Sequence, residues 1–578
     1  MKIIFKYILR YKKFILWNII SVLFITLGEI FIPFIIGQYI INGIRDSIPF
    51  DRLVIIIIVF VFFTIIGNLI MNFCNSKVSS LIFRDLSTDL FKKIQTFSIE
   101  DMNNLGIVTV LNRSTFNIYQ IMSFVSTCYR TMIVSPVMLV ISTIIIFYIS
   151  VPLSYGVLIV IPFFILILFL LMKKNYKLSI QQPKLAEAIN FNIRLNLKGT
   201  KVIRMMNQEK YEEKKFDKIN SKYRDLIIKL FLSLLSIEPL FYLLLNLSII
   251  LTIGTGAYII KKGILPLDIG SLYTCVNLYY HILFSILNFL LLFMMFPKTF
   301  IACKKIESLF KKEPSIKNAP SQFIQKLEKI KTLEFKNVNL KRPNSSILAL
   351  ENINFKIHNF EVIALVGYTG SGKTTLINLI PRLMDPTEGC IEINGINIKN
   401  YDLKELRNKI GFVSQKNVLF KGTIFSNLLL GKEDANEEDM FRELKNSQLY
   451  DFIQNKENKL NEYVSELGFN LSGGQKQRMS ITRVFLKKPD IYIFDDSFSA
   501  LDYVTDLSIR KNFFESSKDF ICIIVAQRLN SILNADKIIV LDKGKIIDIG
   551  KHNELLKRCE IYKKLAISQN IKEEVFYE

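Results

Sequence analysis

The sequence predicts an all-α domain of six membrane-spanning helices followed by an α/β domain built around a phosphate-binding loop. Three observations carry this. Six apolar stretches are confined to the first half, the string Gly367-Tyr368-Thr369-Gly370-Ser371-Gly372-Lys373-Thr374 follows an apolar strand, and a later strand-like run, Ile491 to Phe494, ends in Asp495 and Asp496. A chain of 578 residues with 50% hydrophobic content and positive mean hydropathy is too long for one ordinary domain and too apolar for a wholly soluble protein. The expected division is a membrane domain over 1–310, a linker over 311–330 punctuated by Pro314 and Pro320, and a nucleotide-binding domain over 331–578.

In the first half the apolar stretches fall near 14–42, 53–75, 131–149, 152–172, 232–260 and 269–297. Each is close to the roughly 20 residues that cross a bilayer as a helix. Lys2, Lys6, Arg10, Lys12 and Lys13 precede the first, which places the N-terminus in the cytoplasm, and an even number of spans returns the C-terminal half to the same side. The first run is too long for a cleavable leader and reads as a retained helix. The outer connections, near 43–52, 150–151 and 261–268, are short, whereas the inner ones, near 76–130 and 173–231, are long, basic and helix-patterned. Solvated loops would explain the charge of the inner connections but not their length.

Polar residues within spans are costly and mark functional candidates. Glu29 and His281 are the better candidates for a substrate path, while Asn68 and Asn72 read first as helix–helix hydrogen-bonding residues. Glu238 and Asn288 are also intramembrane, and Tyr273, Tyr279, Tyr280 and Phe284 read as packing or interface aromatics before cavity lining.

The net charge of +23 does not point to nucleic acid, because lysine is scattered along the chain and crowds the flanks of apolar runs. No nucleic-acid partner is expected. The seven cysteines, at 74, 128, 275, 303, 390, 522 and 559, have no C-x-x-C spacing, so neither a zinc site nor a disulfide framework is indicated.

In the second half, Val362 to Val366 runs into a string that satisfies G-x-x-x-x-G-K-[ST]. Gly367, Gly370 and Gly372 let backbone N–H groups of the loop, with Thr369 and Ser371, wrap phosphate oxygens, and the helix opening at Lys373, Thr374 and Thr375 adds its positive dipole end. Lys373 reaches the β- and γ-phosphates and the Thr374 hydroxyl takes Mg²⁺.

Between this loop and Asp495 lies Leu471-Ser472-Gly473-Gly474-Gln475. Three nucleotide-handling motifs in this order, behind a long apolar half, resemble an ATP-binding-cassette (ABC) exporter half-transporter, and the resemblance spans nearly the whole chain. It implies an ABC ATPase domain of the P-loop NTPase class that uses ATP and Mg²⁺, with Asp495 in the Mg²⁺ shell and Gln415 contacting Mg²⁺ and the attacking water. It also implies that Ser499 to Asp502 lie at a dimer interface, that Glu466 contacts the membrane domain, and that coupling helices fall at Asn104 to Arg113 and Arg194 to Arg204.

The chain departs from the family at three places. Asp496 stands where a Glu usually polarises water, which withdraws the carboxylate by one C–C bond, about 1.5 Å. A displacement of about 1 Å costs on the order of a hundredfold in rate, so slow turnover is expected. Gln527 stands at the usual histidine of the switch strand Ile523 to Arg528, and an amide donates a hydrogen bond but relays no proton. Arg342 falls at the base-stacking aromatic, where its guanidinium plane can still stack on a purine.

ABC cassettes pair head to tail, so an intact signature beside a degenerate hydrolytic set implies one subunit of a heterodimeric exporter of a hydrophobic or amphipathic drug, lipid or peptide, in the plasma membrane. Its signature would complete the active site of a second half-transporter. A slow homodimer and a membrane-bound nucleotide sensor without transport remain alternatives.

Overall fold

Backbone polar groups find no water in a bilayer core, so long apolar segments there close their hydrogen bonds within helices. The computed structural model describes residues 2–41, 50–263, 267–342, 347–516 and 519–569. Among them, six helical segments are long and apolar enough to span a membrane: Ile3–Ile41, Asp51–Gln95, Ile107–Ile149, Val151–Leu171, Glu209–Lys262 and Ile269–Lys311. Residues 43–49 and 264–266 of the outer connections, and Pro343, lie outside the described residues.

The chain forms two units, Met1–Thr96 with Leu105–Glu313, and Phe97–Asn104 with Pro314–Glu578. In the membrane unit, Ile25, Met138, Phe164, Phe241, Tyr279 and Leu283 share one buried core. The Tyr279 hydroxyl donates to the Leu153 carbonyl at 2.6 Å, and the buried ring packs in the core in place of lining a cavity. Asn68 corrects an expectation, since its amide donates to Thr64 O of its own helix at 3.0 Å. Among the spans' asparagines, Asn18 bonds between helices, donating to Tyr129 O at 2.8 Å. Glu29 and His281, from the first and sixth spans, approach to 4.0 Å.

The inner connections differ from expectation in detail. The first breaks into helices Ile99–Leu105 and Ile107–Ser114, joined at Gly106 with φ +77°. Arg194 to Arg204 forms no separate short helix: it is the last part of the helix Val151–Met205, which runs through Gly199 without a positive φ and ends before Asn207 at φ +57°.

In the second unit the strands are β1 (Thr332–Lys341), β2 (Leu348–His358), β3 (Val362–Val366), β4 (Glu388–Ile393), β5 (Ile396–Asn397), β6 (Ile410–Val413), β7 (Gly422–Thr423), β8 (Tyr463–Val464), β9 (Ile491–Asp495), β10 (Ile521–Val525), β11 (Lys537–Asp542) and β12 (Lys545–Gly550). Among the described residues, one sheet runs β12-β11-β3-β10-β9-β6, parallel except at β12, and a second, antiparallel sheet runs β2-β1-β4-β5. Successive side chains of β3 enter opposite cores: Ile363 and Leu365 join one, Ala364 and Val366 the other. Burial on both faces explains why β3, β9 and β10 read as continuous apolar runs. Register levels their C-terminal ends, with Val525 opposite Leu365 on one side and Asp495 on the other. Loops leaving those ends therefore converge in the crevice where ligands bind open α/β sheets.

Candidate nucleotide-binding and hydrolysis site

The loop after β3 needs glycine for a packing reason as well as for phosphate approach. At Gly367, φ +150°, a Cβ would lie 2.0 Å from the Leu541 carbonyl oxygen of the neighbouring strand. The Lys373 ammonium donates to Gly367 O at 2.7 Å and Tyr368 O at 3.0 Å, so it sits inside the loop it serves. Burial pushes its pKa down, partly offset by Asp496 and Asp495, so an incoming polyphosphate meets a cation it can favour.

Beside it the Thr374 hydroxyl donates to Asp495 Oδ1 at 3.2 Å. Asp495 is almost fully buried, and burial, with the neighbouring Asp496 charge, pushes its carboxyl above the ordinary range. A hydroxyl and a carboxylate so placed are hard oxygen donors that suit Mg²⁺, whose charge would offset the cost of that burial.

These groups open onto a cleft of about 620 Å³, within the range of small-molecule sites. It collects Arg342, the loop residues Thr369 to Thr375, Gln415, Asp495, Asp496 and Gln527. Arg342 donates to Thr375 Oγ1 at 3.2 Å, which fixes the guanidinium at the edge of the loop.

Asp496 has φ +50°, a left-handed conformation that Asp tolerates better than most side chains. Its amide donates to Val525 O at 3.0 Å, and Ser499 and Gln477 donate to its carbonyl at 3.0 and 3.3 Å. The Gln415 amide donates to its carboxylate at 3.4 Å. Burial raises the Asp496 pKa, and the hydrogen bonds from Gln415 and Ser499 oppose the shift.

The signature residues are not in this cleft. Ser472 caps the helix Gly473–Lys487 in a reciprocal box: Gln475 N donates to Ser472 Oγ at 3.3 Å and Ser472 N to Gln475 Oε1 at 2.9 Å. Leu471 is buried beneath, and a Cβ at Gly473 would meet no atom within 4 Å. The motif thus presents open backbone at a helix start, apart from its own chain's phosphate loop.

The sequence reading missed, among others, the turn after β11 and Gln569. Lys543 and Gly544, in the turn between β11 and β12, line the cleft, and Gly544 N donates to Ser371 O at 3.0 Å. The Asp542-Lys543-Gly544 turn signal was legible, but its place beside the phosphate loop was not. Gln569, far along the chain, holds the switch segment with both ends of its amide, donating to Gln527 O at 2.7 Å and accepting from Leu529 N at 2.8 Å.

Fold and site together define a membrane-bound ATPase of the phosphate-loop class, with one membrane half and one nucleotide half. Residues 15–287 match the family described as ABC transporter transmembrane region and residues 350–499 the family described as ABC transporter. The uncharacterized ABC transporter ATP-binding protein YfiB of Bacillus subtilis (strain 168) is 30% identical over 478 residues, 82% of each chain. A Staphylococcus aureus (strain bovine RF122 / ET3-1) protein with the provisional name multidrug export ATP-binding/permease protein is 31% identical over 473 residues, 80% of each. The fold matches a bacterial Atm1-family ABC exporter solved with ATP bound, at TM-score 0.84 and 20% identity, over 97% of this chain and 99% of that one. The chain belongs to the ABC transporter family, whose members bind and hydrolyse ATP, and it is a multi-pass membrane half-transporter with the exporter fold.

Proposed function

We propose that the chain is one subunit of a heterodimeric ABC exporter whose own phosphate loop binds ATP but supports only slow hydrolysis, while Leu471 to Gln475 complete the faster site of a second half-transporter. The observation that carries this reading is the cleft itself: an intact phosphate loop faces Asp496, one methylene short, and Gln527, which relays no proton. Lys373 and the loop amides hold the β- and γ-phosphates, and Thr374, Asp495 and Gln415 form the Mg²⁺ shell. Bound Mg²⁺ neutralises phosphate charge. Arg342 stacks on the base from its anchor on Thr375.

Ser472, Gly473 and Gly474, outside that cleft, cap the γ-phosphate held by the second subunit. The functional boundaries are 1–310, 311–330 and 331–578, with both termini cytoplasmic, as the basic N-terminal flank supports. The apolar membrane half and the multidrug name of one relative favour a hydrophobic or amphipathic cargo, whether drug, lipid or peptide.

Steady-state ATPase of the purified chain, alone and coexpressed with a second half-transporter from the same organism, tests the assignment. Activity that appears only in the pair is the expected result. Robust activity of the chain alone would overturn it in favour of a homodimer.

A further inference from the structure

The loop between the second and third spans carries a polar node that no nucleotide motif uses. Ser98 and Asp101 form a reciprocal box at the start of the helix Ile99–Leu105: Asp101 N donates to Ser98 Oγ at 3.0 Å and Ser98 N to Asp101 Oδ2 at 3.2 Å. Such a box is complete in itself. Here the same carboxylate oxygen also accepts from Ser315 N at 2.9 Å and Ser315 Oγ at 3.1 Å, and the Ser98 and Ser315 hydroxyls lie 2.6 Å apart. Asp101 is buried, which opposes ionisation, yet the hydrogen bonds from Ser315 and Ser98 outweigh burial and hold its carboxyl at about 2. The node stays charged throughout the physiological range.

Its location gives it meaning. Residues Phe97–Asn104 and the chain from Pro314 belong to the ATPase unit, although Phe97–Asn104 is covalently continuous on both sides with the membrane unit. The two segments meet again within the membrane unit, where Arg113 Nη1 donates to Ser308 Oγ at 3.1 Å. Between these anchors lies Gly106 at φ +77° on one segment, and on the other the helix end at Lys311 followed by extended Lys312. Each segment is bonded to the other on both sides of a change in backbone direction.

We propose that Asp101 is a positioning residue for ATP-driven transport: with Ser98 and Ser315 it fastens the loop to the linker that leads into the ATPase domain, so that movement of that domain is passed along the chain to the second and third spans. Removing the node should leave ATP binding intact and weaken its effect on those spans.

The test uses the full chain in lipid nanodiscs, with any half-transporter that copurifies, and compares wild type with Asp101→Ala, Asp101→Asn and the pair Ser98→Ala/Ser315→Ala. ATP affinity and the ATP-dependent change in hydrogen exchange over residues 107–130 are measured together. Wild type should show an ATP-dependent change, and the variants, compared at saturating ATP, should lose about fivefold or more of it while ATP affinity changes by no more than that factor. A purely structural role would raise exchange with and without ATP and weaken binding in step. The serine pair, which leaves the carboxylate in place, carries the test if Asp101→Ala does not fold. An ATP-dependent change retained in full, lost together with ATP affinity, or missing from wild type would each overturn the proposal.

Discussion

Two side chains set the chemistry of the cleft, and the chemistry separates their effects. Asp496→Glu returns the missing methylene, and Gln527→His adds a group that can carry a proton near neutral pH. The double substitution should raise ATPase of this chain's own site by roughly ten- to a hundredfold, the rate that misplacement of about 1 Å withholds. Backbone geometry adds a second expectation. Position 496 has φ +50°, where Asp is better tolerated than Glu, so Asp496→Glu should also lower stability by up to about 1 kcal/mol. Single-turnover ATPase and thermal unfolding of the same preparations check both, and unchanged turnover would place the limit outside these residues.

The switch segment is fixed by an element that no motif announces. Gln569, just after the helix Glu560–Ser568, bridges Gln527 O and Leu529 N, and Leu529 is buried. Gln569→Ala removes the acceptor of the half-buried Leu529 N–H, at a cost of about 0.5–1.5 kcal/mol. Exchange of the Leu529 amide should then rise by about tenfold or more, and in the Asp496→Glu/Gln527→His background kcat should fall while KM for ATP holds. Loss of ATP affinity instead would show that Gln569 shapes the pocket and not the switch.

The contrast shows what a sequence displays. The glycine loop, Asp495 and the signature were legible because a local string fixes their backbone conformation and their neighbours. Six spans were legible because bilayer thickness fixes their length. Gln569, Lys543 and Asn18 depend on which distant elements meet, and Asn68 bonds within its own turn, an outcome that composition does not separate from a bond between helices. Arg194 to Arg204 was divided from its helix by resemblance, whereas the helix continues through Gly199 to Met205.

For the assembled transporter, the decisive substitution is one that the single chain does not feel. Gly473 is the first residue of its helix, its φ is not positive, and a Cβ there would meet no atom within 4 Å. Gly473→Ala should therefore leave the isolated chain as stable as before, or more stable by about 0.4–1 kcal/mol through reduced freedom of the unfolded chain. In the pair, the added methyl would stand where the backbone must approach a γ-phosphate held by the second subunit, and most ATPase should disappear. ATP bound to this chain's own loop should be unaffected, because Leu471 to Gln475 do not line that cleft. Thermal unfolding of the chain, ATP binding and ATPase of the pair separate the three effects. Full ATPase in the Gly473→Ala pair would remove the signature from the active site and, with it, the reason for a second subunit.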